Sequence, residues 1–395
     1  MARTSLLAGA LLGLLLATPA SAVRFEVSGT AGAELRLFTG APLLPGQDAE
    51  PQPSLSFQPE LRWSSENRRH RFTVVPFFRW DGRDPERTHA DLREAWWRWS
   101  GKRGSLLIGW NKVFWGVTES RHLIDVINQD DALEDVDRED KLGQPMIELS
   151  TDHRWGNLSL YLLPGHRRLA FPGRSGRLRL PVPIVGRDVH ESSAGSEHVD
   201  AAVRWSHYLG EVDLGVSWFH GHSREPRLLP APGGLTPRYD LIHQLGIDLQ
   251  LTKGAWLWKL ETLVREGHGR TFTATVAGFE RSFYQAVGRG GDIGLLVELL
   301  HDDRDATAPP TAFQRDVFVG TRLAFNDTQD TSILLGVIQD LEGSGRTVFV
   351  EGERRFGQHG KLELEGRFFG GLAADDPAAV FAADDFVTLR WSLFW

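Results

Sequence analysis

Apolar and polar residues alternate with a period of two along most of the chain beyond residue 23. The pattern is plainest at the end, DDFVTLRWSLFW, Asp384 to Trp395. Here Val387, Leu389, Trp391, Leu393 and Trp395 fall on one side of an extended chain, and Thr388, Arg390 and Ser392 on the other. In the same way Phe72, Val74, Pro76, Phe78 and Trp80 oppose Arg71, Thr73, Val75, Phe77 and Arg79, and Leu362, Leu364 and Phe368 oppose Lys361, Glu363, Glu365 and Arg367. Eighteen such runs predict strands near 24–38, 54–64, 70–80, 89–99, 103–111, 145–151, 156–163, 197–207, 210–220, 238–252, 254–266, 273–285, 291–301, 312–325, 330–340, 345–356, 360–370 and 384–395. Sixteen is the alternative count, because 145–163 and 266–290 are the least regular stretches.

Connection lengths decide between architectures. Short links such as Ser65–Arg69, Gly101–Lys102 and Gly357–His359 follow every second strand, and longer ones fall between them. A soluble sandwich has no reason to keep that parity. A transmembrane antiparallel up-and-down β-barrel does, with tight turns on the periplasmic side and long loops outside. The apolar face is then covered by lipid, and closure leaves no sheet edge unpaired. The expected fold is therefore all-β, in the outer membrane of a Gram-negative bacterium.

The start of the chain agrees with export. Arg3, the apolar run Leu6 to Ala17 and Ala20-Ser21-Ala22 predict a signal peptide over 1–22. That run is too short to span a membrane, and no later stretch approaches the ~20 apolar residues a spanning helix needs. Residues 23–395 contain no linker or composition shift, so a single barrel domain is expected. With no cysteine, disulfides, thiol nucleophiles and thiolate metal sites are excluded. A formal net charge of -8 argues against a nucleic-acid partner. Trp96, Trp97, Trp99, Trp256, Trp258, Trp391 and Trp395 lie near strand ends, where interfacial girdles sit. Trp391 and Trp395 also form the insertion signal expected to be read by the barrel-assembly machinery.

The polar face predicts a charged, hydrated lumen, because an eighteen-strand cylinder is too wide for wall side chains to fill. Its expected wall residues include Arg36, Arg62, Arg71, Arg79, Arg93, Arg204, Arg322, Arg355, Arg367 and Arg390. The third long loop, 112–144, carries eight acids against one base between Asp125 and Asp140, together with apolar Val113, Phe114, Trp115, Leu123, Ile124, Val126 and Ile127. A solvated acidic loop is the plain reading. A loop of this length and apolarity is instead expected to fold inward and set the narrowest point of the lumen, with Asp130, Asp131, Glu134, Asp135 and Asp137 facing the wall arginines. Four lesser readings remain open. Asp130, Asp131, Asp135 and Asp137 could hold calcium, although their spacing does not match an EF-hand. Trp97 or Phe77, expected on the lumen side, could stack on sugars, and His301-Asp302-Asp303 with His220 and His222 are the best candidates for hydrolase chemistry. The arginines of the 164–196 loop could meet the acidic loop or lipopolysaccharide phosphates.

The export signal, strand parity, aromatic last strand and inward third loop resemble general porins. The stretch Gly109 to Asn128, with Trp115-Gly116 followed by Asp125-Val126-Ile127-Asn128, and Gly278-Phe279-Glu280 leading into Gly291–Asp303, are similar to large porin-like barrels akin to the alginate-export porins. The resemblance implies passive passage of small hydrophilic solutes or ions, without cofactor or catalysis, by a monomer or homotrimer embedded in lipid and lipopolysaccharide. It draws Trp115, Asp125 and Asn128 into the constriction loop. Alginate exporters have a basic lumen as a family, so the acidic balance here speaks against polyanion passage. Specific export or uptake, or a plugged receptor barrel, are the alternatives.

Overall fold

The computed structural model describes residues 24–288 and 290–395; the expected signal peptide lies outside the described residues. Eighteen strands form one sheet. They are β1 Arg24–Phe38, β2 Gln52–Ser64, β3 His70–Asp81, β4 His89–Ser100, β5 Gly104–Asn111, β6 Gln144–His153, β7 Gly156–Pro164, β8 Val199–Leu209 and β9 Val212–His222. The second half comprises β10 Leu241–Lys253, β11 Trp256–Glu266, β12 Phe272–Val287, β13 Gly291–Asp302, β14 Arg315–Ala324, β15 Ser332–Asp340, β16 Arg346–Phe356, β17 Gly360–Gly370 and β18 Phe386–Phe394. Each pairs antiparallel with the next, and β18 closes on β1. The alternation had placed every one of these strands to within three residues, and the irregular stretches 145–163 and 266–290 resolve into full strands, which removes the sixteen-strand alternative.

At the seam Glu34 stands opposite Arg390 and Ala33 opposite Trp391, and Gly29 and Trp395 exchange backbone hydrogen bonds of 3.3 Å. Short turns such as 154–155 and 254–255 alternate with outer loops, the longest being 112–143 and 165–198. The outer loops also build a small sheet that the sequence pattern did not predict, in which Arg227–Ala231 and Gly234–Tyr239 form a hairpin and Val189–His190 pairs parallel to it.

Leu55, Phe57, Leu245, Leu299 and Leu389 are each between 45% and 58% exposed on the outer wall. A continuous apolar band of this kind would be an aggregation surface in water, and it is the lipid-facing belt of a barrel. Beside the short turns Phe57 stacks on Trp395 at 5.5 Å, Phe25 meets Trp63 at 4.9 Å and Trp256 stacks on Trp258 at 5.7 Å, forming the periplasmic girdle.

Register shifts twice among the described residues, in β12 between Phe283 and Val287 and in β4 opposite Val75 and Pro76. Val75 pairs with Glu94 and Pro76 with Leu92, so Arg93 is an extra residue in β4. Pro76 has no N–H to give the ladder, and the bulge sits opposite it. Beyond the bulge the phase of β4 is reversed. Trp97 therefore faces outward, opposite the exposed Ile108 and 6.5 Å from Phe72, while Trp96 faces the lumen, where its Nε1 donates to Glu94. The expected placement of Trp97 inside is corrected by this one residue.

Replacing both Trp391 and Trp395 by Asp removes the girdle at the seam and puts charge on the lipid face of the closing strand. The expected outcome is loss of heat-modifiable, membrane-extracted protein on gel electrophoresis, with recovery by Phe at both positions.

Candidate functional site

The segment between β5 and β6 leaves the wall, crosses the lumen and returns. Asn128, fully buried, ties its two ends together. Its Oδ1 accepts from the Val113 N–H at 2.8 Å, and its Nδ2 donates to the carbonyls of Asn111 and Leu142 at 2.9 and 2.8 Å. Trp115, Ile124, Val126 and Ile127 then pack on Leu107, Met146, Tyr161, Leu163, Phe219 and Ile242, with Trp115 edge-on to Tyr161 at 5.7 Å. Sealing this side of the lumen is what the apolar residues of the loop do. Backbone contact is close enough to demand glycine: a Cβ on Gly143 would stand 2.1 Å from the Arg93 carbonyl oxygen.

The opposite side is sealed by charge. Arg36 donates to Asp135 at 2.7 Å, Arg93 to Asp131, Arg79 to Glu134, and Arg367 to Asp137 at 2.8 Å. Lys141 takes Asp130 at 2.6 Å and Asp125 at 3.3 Å. Burial opposes the charge on Asp131, but His89 and Arg93 outweigh it and bring the carboxyl down to about 2. Asp135 is likewise lowered against burial by Arg36 and Arg367. Asp137 goes the other way, since burial and the neighbouring Asp135 push it up to about 6 in spite of Arg367. Two acids the pattern did not select, Glu139 and Asp140, are exposed to the lumen and enter no ion pair among the described residues.

Two wall carboxylates hold the loop backbone. Glu261 accepts from the N–H groups of Val117 and Thr118 at 2.7 and 3.0 Å and from the Thr118 hydroxyl at 2.7 Å. Glu298 accepts from Glu119 N–H and from both the N–H and hydroxyl of Ser120. Glu298 sits in an apolar run of β13, and nothing in its local sequence marks it as a tether. Of the predicted wall arginines, Arg322 meets Glu119 at 2.7 Å, Arg390 meets Glu34 at 2.8 Å, and Arg204 meets Asp248 at 2.8 Å beneath the Trp115 ring. Arg62 pairs with Glu60, Arg355 with Asp330, and Arg71 lies beside the β2–β3 turn; these three belong to the periplasmic mouth and do not reach the loop acids.

The lesser readings fare differently. Asp130 and Asp131 are turned to separate bases, so the four-aspartate calcium cluster does not form; Asp135 and Asp137 do converge with Glu365, around Arg367. Phe77 faces inward, but the Arg93 guanidinium covers its ring at 4.3 Å. His220 stacks on His243 at 4.2 Å near Trp218, and Asp302 is paired to Arg304 and Arg121. In the 165–198 loop Arg167 is bound to Asp91 at 2.7 Å and Arg177 to Asp384 at 2.7 Å, so these two cations brace neighbouring segments of the outer mouth.

One side of the lumen remains open. A cavity of about 350 Å³ lies between the loop and the wall of β11 and β14–β17, lined by Glu119, Arg121 and Glu139 of the loop, by Leu334, Ile338, Phe349 and Arg367 of the wall, and by outer-loop residues up to Phe381.

No family model matches the sequence, and no curated protein matches it. Solved structures do. The chain is similar to OccK2 (OpdF) of Pseudomonas aeruginosa, solved in complex with glucuronate, at 11% identity and a TM-score of 0.57 over 95% of this chain and 96% of that one. It is similar to a BenF-like porin from Pseudomonas fluorescens Pf-5, at 9% identity and a TM-score of 0.55 over 95% and 98%. It is also similar to Wzi of Escherichia coli, described as a carbohydrate-binding β-barrel involved in capsule assembly, at 11% and 0.54 over 93% and 83%. At these identities the likeness carries the fold, that of an outer-membrane β-barrel of porin architecture.

Asn128→Ala and Glu261→Gln each remove bonds that tether the loop, at a cost of about 1–3 kcal/mol per orphaned buried group. The expected result is a folded barrel whose 112–143 segment is cleaved at least several-fold faster by added protease, with no change in heat-modifiable mobility.

Proposed function

We propose that this barrel is a passive channel for small hydrophilic solutes and ions, with the 112–143 loop as its constriction. The observation that carries this reading is the asymmetric filling of the lumen: an apolar seal against β5–β10, an ion-pair seal against β1, β3, β4 and β17, and a cavity with charged and apolar walls left along β11 and β14–β17. A cavity of about 350 Å³ is at the small end of the ~300–1,000 Å³ range of ligand sites. That size suits single solute molecules, and a polymer would have to displace the loop. OccK2 was solved in complex with glucuronate and Wzi is described as carbohydrate-binding, so small sugars and sugar acids are the first solutes to test.

Ion selectivity follows from which charges remain unpaired. Asp130, Asp131, Glu134, Asp135 and Asp137 are spent on bases, and their role is to pin the loop. Glu139 and Asp140 face the lumen without a base and give the passage a weak cation preference. A plugged barrel is the second reading, favoured by the way Arg177 and Arg179 draw the 165–198 loop over the outer mouth, onto Asp384, Gly40 and Pro45.

Single-channel recording in a planar bilayer tests the two readings. The expected outcome is discrete conductance whose reversal potential in a salt gradient shifts toward zero in Glu139→Gln/Asp140→Asn, while Asp131→Asn leaves selectivity in place and increases current noise. Absence of conductance would establish the plugged barrel. The pH dependence has a defined sign: burial and the neighbouring Glu134 push Asp140 up to about 6, so cation preference falls as pH drops through 6 and returns above it.

A further inference from the structure

At the outer rim the paired strands β8 and β9 bring two histidines and an aspartate together. His198 stands just before β8, Asp200 is the second residue of β8, and His222 is the last residue of β9. A Cβ on Gly221 would stand 2.1 Å from Cγ of Asp200, so glycine at that place is what lets the carboxylate lie across β9. Asp200 is fully buried. Its Oδ1 lies 2.9 Å from Nδ1 of His198 and 3.8 Å from Nδ1 of His222, and accepts from the His222 backbone N–H at 3.1 Å. Donor atoms of these three side chains all lie within 4.8 Å of one another.

A buried neutral imidazole has one N–H and one lone pair to satisfy. His222 satisfies neither: it is fully buried, and both of its ring nitrogens lack a hydrogen-bond partner. The rings of His166 and His190 pack edge-on against it at 5.3 and 5.0 Å, and that of His198 at 5.1 Å. Fully buried Tyr239 backs the first two, at 4.3 and 5.3 Å, so this side of His222 is walled by packing. The His198 side chain is 21% exposed and gives the other side its access to solvent. Arg224 takes Oδ2 of Asp200 at 2.9 Å, and that salt bridge alone would account for a buried aspartate. It does not account for the second carboxylate oxygen, which is turned toward two imidazoles, one of them otherwise orphaned.

We propose that Nδ1 of His198, Nδ1 of His222 and Oδ1 of Asp200 bind a divalent transition-metal ion of the zinc class, with water completing the shell on the exposed side. Two imidazoles and one carboxylate with a fourth position open are a donor set zinc accepts, and imidazole selects against calcium and magnesium. Ligands about 2.0–2.2 Å from a tetrahedral ion stand roughly 3.3–3.6 Å apart. The separations of 2.9 and 3.8 Å bracket that range, so small side-chain rotations suffice. His198 now donates its Nδ1 proton to Asp200; with an ion between them the neutral ring carries that proton on Nε2 and presents the Nδ1 lone pair. Arg224 works against a cation, but it holds Oδ2 and leaves Oδ1 to the ion. His198 closes the 165–198 loop and His222 opens the 223–240 loop, so the ion ties the roots of the two loops that together build the small outer sheet.

The test uses the full chain, refolded or extracted in detergent, stripped with a chelator and titrated with Zn²⁺ against a chromophoric competitor. The expected result is one Zn²⁺ per chain, together with slower cleavage of the 165–198 and 223–240 loops by a serine protease when zinc is present. His198→Gln and His222→Gln should each weaken binding by more than the about 10–100-fold typical of losing an outer-shell partner. His190→Gln, and His220→Gln, whose ring stacks on His243, should leave affinity unchanged. His198 is partly exposed, so His198→Gln is the ligand variant least apt to disturb folding, which heat-modifiable mobility checks in every case. Wild-type protein that takes up no more zinc than a His198→Gln/His222→Gln double variant overturns the proposal. So does an affinity that is lost in His190→Gln or His220→Gln and kept in His198→Gln.

Discussion

Everything in this protein depends on pairing the last strand with the first. In hydrocarbon no water is available to an unbonded N–H or C=O, so a sheet survives there only without an edge. The register that achieves this sets Glu34 against Arg390 inside and Ala33 against Trp391 outside, so closure aligns a lumenal ion pair and a lipid-facing contact at once. The loop is anchored to both sides of the same seam, since Asp135 reaches Arg36 on β1 and lies within 4 Å of Arg367 on β17.

A closed eighteen-strand cylinder creates a second requirement, because its interior is too wide for side chains from the wall to meet. The 112–143 loop answers with two kinds of contact. The apolar cluster around Trp115 and Ile124 gains from leaving water, whereas the buried ion pairs return little net stability and act mainly through the cost of breaking them, about 3–5 kcal/mol when one partner is lost. The loop is thus held in one position by charge and kept in place by packing.

The fold could be read from the sequence because lipid on one side and water on the other impose a binary pattern on each strand, and nearly every strand obeys it. The inward loop was readable for a related reason, since apolar residues such as Ile124 and Ile127 have no place in a solvated loop. What could not be read was partnership. Asp131 and Asp140 look alike in the sequence, and only the three-dimensional position of Arg93 makes one a pin and leaves the other free. Glu298 tethers the loop from more than 170 residues away in an apolar run. Trp97 was misplaced because a bulge shifts phase without a local sign other than Pro76 on the neighbouring strand. The histidine cluster unites residues 166, 190 and 222, whose proximity is set by the outer loops alone.

A two-faced strand is a loose code. Each wall position is asked a yes-or-no question, apolar or polar, and many residues give an acceptable answer. A barrel of this type therefore stores its architecture in the order of the answers and places little demand on the identity of each letter. Very different sequences can therefore carry one architecture, as in the 9–11% identity over more than nine-tenths of this chain that accompanies the shared fold. Particular residues are demanded where two answers do not suffice, as at the Asn128 clasp, the bulge at Arg93 and Gly143 pressed against it.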